Sequence, residues 1–383
     1  MLITAMAMIS IYSSCKKNDL SSTGEPRITH IRITAPESSD SLLVGAGQGR
    51  LVAIMGENLK EAVEVWFNDQ MAVLTPTYIT NTSILVSVPS RIPMNITNKI
   101  KIVFSNGKTL LHDFQVQISK PTVTSMLSEH VNTGDVATIR GDYFYAPVTV
   151  TFTGGVTGQI VSLKDQEIQV TVPAGAQPGP ITVKTNFGET PSNFWFRDNR
   201  NIFISGDEAS NGWWGTYLVT NPAAGDPAKI NGNYYRYKKQ VKSWTWDSPE
   251  VAGGAATSLS SSKNVPDAAI LKPEDYNLKF EINTLKPYNS NRIVINVGLS
   301  TGPTDPGTGN AAEDNNNYAW NPPYDSKGQW NTIVIPFEQV YNSYTRKPVV
   351  NPNGYWSRIL IFGAGDLDAD ISFDNFRVVP KRL

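Results

Sequence analysis

The chain has 383 residues, 33 of them basic and 34 acidic, with a net charge of −1 and a pI near 6.3. This length allows two or three domains. The balanced charge lacks the excess of positive charge that is typical of proteins that bind nucleic acid or an anionic membrane surface. A single cysteine excludes an intrachain disulfide framework. Frequent glycine and proline separate short alternating runs such as Leu278-Lys279-Phe280-Glu281-Ile282, a pattern that predicts an all-β protein.

The N-terminal 25 residues are predicted to be an export signal followed by a tether. Residues 1–14 are mostly apolar or small and too few to span a bilayer, whereas residues 16–25 are polar. Cys15 lies between these segments, and charged residues follow it directly. This arrangement resembles a bacterial lipoprotein signal, and the charged residues resemble the surface-export signals of Bacteroidetes lipoproteins. The resemblance implies lipidation of Cys15 and anchoring to the outer membrane at the cell surface.

Residues 26–198 contain an internal repeat with an offset of 84 or 85 residues. Three pairs of segments correspond: 53–59 with 138–144, 63–68 with 148–153, and 84–89 with 168–173. This repeat predicts two small β-sandwiches in tandem. The Gly-x-x-Leu/Phe turn, the Val-x-Phe strand and the Val-x-Val-Pro strand resemble the immunoglobulin-like IPT/TIG domains of plexins and transcription factors, with one domain at 26–118 and one at 119–198. We interpret them as stiff spacers, with Trp66 and Trp195 in their cores.

From residue 199 the repeat ends and aromatic residues accumulate, including seven of the nine tryptophans. Adjacent residues on a strand point to opposite faces, so Trp213 and Trp214 cannot both fill one core, whereas Trp244 and Trp246 would share a face. A polar loop at 300–325 carries three further aromatic residues, and loops of this length are often functional. Strands are predicted at 201–205, 233–237, 277–283, 292–299, 332–336, 358–362 and 371–379.

We interpret the aromatic residues as a flat platform on which sugar rings stack. Its predicted members are Trp213 or Trp214, Trp244 and Trp246, with Tyr318, Trp320 and Tyr324 as loop contacts. For any one of these rings a place in the core is the alternative. Trp330 and Trp356 adjoin apolar strands and are predicted to be core. Residues 199–383 carry 18 acidic and 18 basic residues, which favours an uncharged glycan over a uronic-acid polymer.

Segments 328–337 and 370–376 resemble the closing strands of jelly-roll carbohydrate-binding modules. The predicted fold is therefore all-β: two immunoglobulin-like sandwiches followed by a jelly-roll-like β-sandwich at 199–383. The order of the parts resembles the surface glycan-binding proteins of Bacteroidetes polysaccharide-utilisation systems, and among them the type whose terminal domain binds xyloglucan or related β-glucans. The resemblance implies non-catalytic capture of a neutral β-linked polysaccharide. Its implied partners are a TonB-dependent outer-membrane importer, the importer's glycan-binding lipoprotein lid and a surface endo-glycanase.

Two other classes of function stay open on the residues alone. The three histidines all precede residue 199, which leaves no His-based triad in the C-terminal domain. A glycoside hydrolase needs only two carboxylates, for which Glu208, Glu281, Glu313 and Asp366 are candidates. An adhesin would instead use the aromatic rings as hot spots for a protein partner. No cofactor is predicted, although Asp207, Glu208 and Asp374 resemble part of the structural calcium site of jelly-roll modules, a site that needs six to eight oxygen ligands.

Overall fold

The computed structural model describes residues 24–38, 40–207, 217–245, 250–253, 265–299, 317–351 and 354–381. Of the residues that the structure describes, 48% lie in strands and 7% in helices, which confirms the predicted all-β fold class. It forms two compact units, Met1–Ser119 and Lys120–Leu383. In the described ranges, no helix combines the length and the apolar character needed to cross a membrane.

The first unit is a sandwich of two antiparallel sheets, ordered β1-β3-β6 and β5-β4-β7-β8, with β2 and β9 forming a short parallel pair. Alternate residues of the strands point inward and form one core, which includes Ile54, Val65 and Ile102. The strands are β1 (Arg27–Ile33), β2 (Gly45–Gly47), β3 (Leu51–Glu57), β4 (Ala62–Phe67), β5 (Gln70–Met71), β6 (Ser83–Ser87), β7 (Lys99–Phe104), β8 (Thr109–Asp113) and β9 (Gln115–Gln117).

The second unit begins with another sandwich of two antiparallel sheets, ordered β10-β11-β15-β14 and β13-β12-β16-β17. Its own core includes Ile139, Val150 and Val183. The strands are β10 (Thr122–Met126), β11 (Val136–Asp142), β12 (Thr149–Phe152), β13 (Val156–Thr157), β14 (Gln159–Lys164), β15 (Glu167–Thr171), β16 (Gly179–Thr185) and β17 (Gly188–Phe196).

The repeated glycine has the same structural role in both sandwiches. A Cβ atom at Gly56 would lie 2.1 Å from the carbonyl oxygen of Arg27, and one at Gly141 would lie 1.9 Å from that of Thr122. Only glycine therefore allows β1 to approach β3, or β10 to approach β11, this closely. Three residues after each glycine, Leu59 and Phe144 are fully buried and anchor the turn to the core.

The rest of the second unit is a third sandwich, with sheets ordered β19-β20-β27-β22-β25 and β21-β26-β23-β24, and with β18 also paired to β27. All seven strands predicted from the sequence are present, and β24 is an additional strand inside the predicted loop. The elements are β18 (Ile202–Ile204), β19 (Leu218–Val219), β20 (Tyr234–Val241), β21 (Glu250–Gly253), α1 (Asp267–Leu271), β22 (Tyr276–Thr284), β23 (Ile293–Leu299), β24 (Tyr318–Trp320), β25 (Asn331–Pro336), α2 (Phe337–Ser343), β26 (Trp356–Ile361) and β27 (Leu367–Pro380).

A buried cluster of charged residues joins the second and third sandwiches. Glu129, from the link between β10 and β11, lies 2.6 Å from Lys279 and 2.7 Å from Arg377. Arg377 also lies 3.0 Å from Glu281, which His130 approaches to 3.4 Å. All five side chains are at most 5% exposed. Because buried charges are stable only when paired, separating the two sandwiches would leave Lys279 and Arg377 without the carboxylate of Glu129.

Three tryptophans predicted to be core are only partly buried, so these predictions are wrong. The Lys101 ammonium lies 4.8 Å from the Trp66 ring centroid, and the Arg200 guanidinium lies 3.8 Å from that of Trp195. A cation over an indole face covers the ring without placing it in an apolar core. Trp330 contacts Tyr234 edge to face, with ring centroids 5.5 Å apart. The side chain of Trp356 lies outside what the structure describes.

Candidate functional site

The structure describes four of the seven aromatic residues predicted to contact a glycan. These four are Trp244, Tyr318, Trp320 and Tyr324. Trp213, Trp214 and Trp246 lie outside the described residues, as does Cys15. The described part of the predicted surface therefore consists of one turn after β20 and of the segment around β24.

Trp244 lies in a turn rather than in a strand, and its φ angle is +53°. The strand argument that places Trp244 and Trp246 on one face therefore does not apply. The backbone N–H of Trp244 donates to the carbonyl oxygen of Gly363 at 2.8 Å, and the backbone N–H of Ser243 donates to Asp366 Oδ1 at 3.0 Å. These hydrogen bonds fix the turn against the segment that follows β26.

The Trp244 side chain is held in place and still open to solvent. Its ring centroid lies 5.3 Å from that of Phe362 at an interplanar angle of 77°, and the Arg292 guanidinium lies 5.2 Å from the indole centroid. The residue nevertheless remains 55% exposed. An oriented indole with more than half of its surface accessible can stack on an apolar ligand face.

Phe362 belongs to a small apolar cluster on the outer face of the sheet β21-β26-β23-β24. The cluster consists of Val294, Leu360 and Phe362, all buried. The residues that alternate with them, among them Ile293 and Ile361, point into the main core. Trp244 thus lies at one end of a sheet that has buried residues on both of its faces.

The sequence reasoning missed Arg292 and Phe362 as neighbours of Trp244. It also missed the buried polar pair further along the same outer face, in which Arg358 Nε donates to Asn296 Oδ1 at 3.3 Å. A signal was present, because β23 and β26 contain uninterrupted apolar runs instead of the alternation of a half-exposed strand. Such runs are typical of strands that are covered on both faces.

The three aromatic residues around β24 are partly buried against the main core. Trp320 stacks on Tyr288 with centroids 5.5 Å apart, contacts Phe280 edge to face at 5.6 Å and lies 5.2 Å from Tyr324. Burial raises the pKa of the Tyr318 and Tyr324 hydroxyls. These rings therefore contribute to the packing of the sandwich, and only part of each ring is accessible to a ligand.

The carboxylates considered for hydrolysis are engaged in ion pairs where the structure describes them. Glu281 is fully buried in the cluster at the sandwich junction, and Thr332 Oγ1 donates to it at 2.8 Å. Asp366 is exposed and lies 2.6 Å from Lys242. Glu208 and Glu313 lie outside the described residues. The two described candidates thus sit in different surroundings, each beside its own cation.

In the part of the chain that the structure describes, no group of three or more His, Cys, Asp or Glu residues could hold a metal ion. The described residues therefore provide no ligand set for the predicted calcium site. Burial and the charges of Asp207 and Glu281 raise the pKa of Asp374 despite two backbone hydrogen bonds to its carboxylate.

Residues 196–380 match a family model described as the surface glycan-binding protein B xyloglucan binding domain. An IPT/TIG domain-containing protein of Bacteroides ovatus is 28% identical over 138 residues, which cover 34% of this chain and 28% of that protein. The match thus spans less than a third of the relative's length. The family match covers the whole third sandwich, including the Trp244 turn and β24.

Solved structures also resemble the chain. The surface glycan-binding protein PbSGBP-B from Prevotella bryantii has a TM-score of 0.69 and 24% identity, and the match covers 94% of this chain and 100% of that one. SGBP-B from a complex xyloglucan utilization locus in Bacteroides uniformis has a TM-score of 0.48 and 19% identity, with 93% and 100% covered. The likeness to the Prevotella protein supports the fold of the chain.

Proposed function

We propose that this chain, whose C-terminal sandwich matches the surface glycan-binding protein B xyloglucan-binding family, binds a neutral β-linked polysaccharide at the cell surface without cleaving it. One observation carries the proposal: the residues that match the family model form the same sandwich in which Trp244 is exposed and held in a fixed orientation. Xyloglucan or another β-glucan is the glycan class that we favour.

The proposed contacts are aromatic rings that stack on the C–H faces of sugar residues. The platform consists of Trp244, Trp246 and either Trp213 or Trp214, and Tyr318, Trp320 and Tyr324 add loop contacts beside it. One stacked indole contributes on the order of 1–3 kcal/mol, by analogy with other buried aromatic surface. Two or three such contacts reach the roughly 4–8 kcal/mol that correspond to millimolar to micromolar affinity.

The proposed location and partners follow from the N-terminal sequence and the domain order. Cys15 carries the lipid that anchors the protein in the outer membrane, and the glycan is passed to a TonB-dependent importer and its glycan-binding lipoprotein lid. Several copies on one cell add avidity to the modest affinity of each. A Cys15→Ser variant should leave the membrane fraction and lose incorporation of labelled fatty acid, while glycan binding by the purified protein stays unchanged.

Affinity electrophoresis tests the binding function directly. The protein should be retarded in gels that contain xyloglucan or another β-glucan, with no release of reducing sugar ends during prolonged incubation. Release of reducing ends would assign the protein to the hydrolases. Unchanged mobility in β-glucan, mannan and xylan gels, together with capture of a purified protein partner, would favour the adhesin.

A further inference from the structure

A groove lies between the second and third sandwiches, on the side of the junction where Trp330 is found. Its volume is about 480 Å³, within the range of small-molecule sites. One wall is the outer face of a sheet of the second sandwich, where Thr138 of β11 pairs with Gln169 of β15 and Val161 of β14 lies beside them. The opposite wall includes Trp330 and Ile230 of the third sandwich.

The Trp330 ring has a defined orientation in this groove. Its indole N–H donates to the carbonyl oxygen of Ala228 at 2.7 Å, and the ring contacts the buried Tyr234 edge to face. The residue is only partly buried. Trp330 therefore combines a fixed orientation with an accessible surface. The same holds for Trp244 in the turn after β20.

His130 lies at the floor of this groove and carries a buried ring nitrogen without a partner among the described residues. Its side chain is 2% exposed, and Nδ1 lies 3.4 Å from Glu281. The other ring nitrogen, Nε2, is buried and has no hydrogen-bond partner among the described residues. Buried polar atoms are rarely left unpaired, because the lost hydrogen bond to water is not replaced. The groove offers a ligand accessible polar side chains instead, among them Asp135 and Gln169 of the second sandwich.

The charges around the groove select against an anionic ligand. None of the described lining residues is a lysine or an arginine, and Asp135 is the only acidic one among them. Another cavity at the junction, of about 430 Å³, is different, because three basic residues line it, namely Arg140, Lys279 and Lys381. An indole, aliphatic side chains, amides and a carboxylate match a neutral ligand that has both an apolar face and hydroxyl groups.

We propose that this groove is a second carbohydrate subsite, which takes one or two sugar residues of the glycan with Trp330 as the stacking ring and with Asp135 and Gln169 as hydrogen-bonding partners. The inference rests on the proposed function for the identity of the glycan. It gives the second sandwich a share in ligand binding, beyond a spacer role.

A substitution that fills the groove without disturbing a core tests this inference. Val161 is 55% exposed, so Val161→Arg should fold normally and place a long cation in the groove. Val63→Arg is the matched control, because Val63 is 53% exposed on β4 of the first sandwich. In isothermal titration calorimetry with a xylogluco-oligosaccharide, we expect two sites per chain for the wild type and Val63→Arg and one site for Val161→Arg. Trp330→Ala should give the same loss if it folds.

The outcomes separate this inference from the proposed function. One site in every protein, with wild-type affinity in Val161→Arg and about tenfold weaker binding in Trp244→Ala, would overturn the second subsite and leave the platform intact. Binding that Val161→Arg abolishes and Trp244→Ala leaves unchanged would overturn the platform and retain the groove. Absence of binding to any β-glucan oligosaccharide in the wild type would overturn both.

Discussion

Lys279 and Arg377 are paired directly across neighbouring strands of the third sandwich, on β22 and β27. Like charges in this arrangement repel each other, and both side chains are buried. Glu129 of the second sandwich bridges them, with one carboxylate oxygen 2.6 Å from Lys279 and the other 2.7 Å from Arg377. The third sandwich thus carries a cation pair that is compensated by a residue from its neighbour.

Glu129→Gln should strongly destabilise the unit that contains both sandwiches. It removes a charge that faces two buried cations, and breaking such a cluster typically costs about 3–5 kcal/mol. Chemical denaturation measures the change in the free energy of unfolding. Glu57→Gln is the control, because Glu57 is paired to Arg27 at an exposed site of the first unit and its loss should leave the denaturation curve unchanged. Equal changes in the free energy of unfolding for both substitutions would show that the buried cluster contributes no more to stability than an exposed ion pair.

The same cluster should make stability depend on pH below about 4.5. Burial opposes ionisation of Glu281, but hydrogen bonds from His130 and Thr332 and the charge of Arg377 outweigh it and lower the pKa of Glu281 to about 2. A depressed carboxyl pKa stabilises the folded state above the unfolded-state value, and this contribution disappears as the pH falls towards 2. The shift corresponds to roughly 3 kcal/mol at about 1.4 kcal/mol per unit.

Urea denaturation between pH 6 and pH 2.5 measures this pH dependence. Asp374 acts in the opposite direction, because its raised pKa favours folding at low pH, so the wild type should be compared with Glu281→Gln. The gap between the two proteins should narrow steadily as the pH falls below 4.5. A constant gap would mean that the pKa of Glu281 does not differ between the folded and unfolded states.

Trp244→Ala should weaken glycan retention about tenfold, since one stacked ring corresponds to about 1.4 kcal/mol or more. Its half-exposed ring lies outside the core, so the free energy of unfolding should change little. Affinity electrophoresis gives the retention, and we expect the same result for Trp246→Ala. Trp66→Ala in the first unit serves as the control and should be retained like the wild type. Wild-type retention of Trp244→Ala would remove this ring from the platform.

Trp320→Ala should act first on folding, because the ring packs against Tyr288, Phe280 and Tyr324. We expect a loss of about 3 kcal/mol in the free energy of unfolding, in the range for removal of a large packed ring. Thermal and chemical denaturation provide the measurement. Unchanged stability would contradict the structural role of the ring, whatever the effect on glycan binding.

Local patterns predicted much of the fold from the sequence. The repeat around Gly56 and Gly141 identified two related sandwiches, since a close approach of strands requires glycine at a fixed place. Alternating residues located the strands of the third sandwich. The junction was not predictable in this way. The alternation at Lys279 and Glu281 is typical of a strand with a solvated face, yet the second sandwich covers that face with charges from distant positions in the chain.

The sequence indicates which aromatic residues are candidates for the site, but it does not indicate which of their rings are exposed. Trp244 and Trp320 look alike in the sequence, each near other aromatic residues in a polar stretch. Trp320 is paired in the β24–β23 ladder and packs against the core, whereas Trp244 lies in a turn. Exposure of a ring depends on these long-range partners, which local patterns do not contain.

The positive φ of Trp244 has a consequence for the energetics of its turn. A tryptophan in the left-handed region of backbone conformation is strained by about 1–2 kcal/mol, whereas glycine is not. Trp244→Gly should therefore unfold at a higher denaturant concentration than Trp244→Ala, although both lack the ring. In this turn a strained backbone conformation accompanies a fixed orientation of the Trp244 ring. Strained backbone conformations of this kind are concentrated at functional sites of proteins.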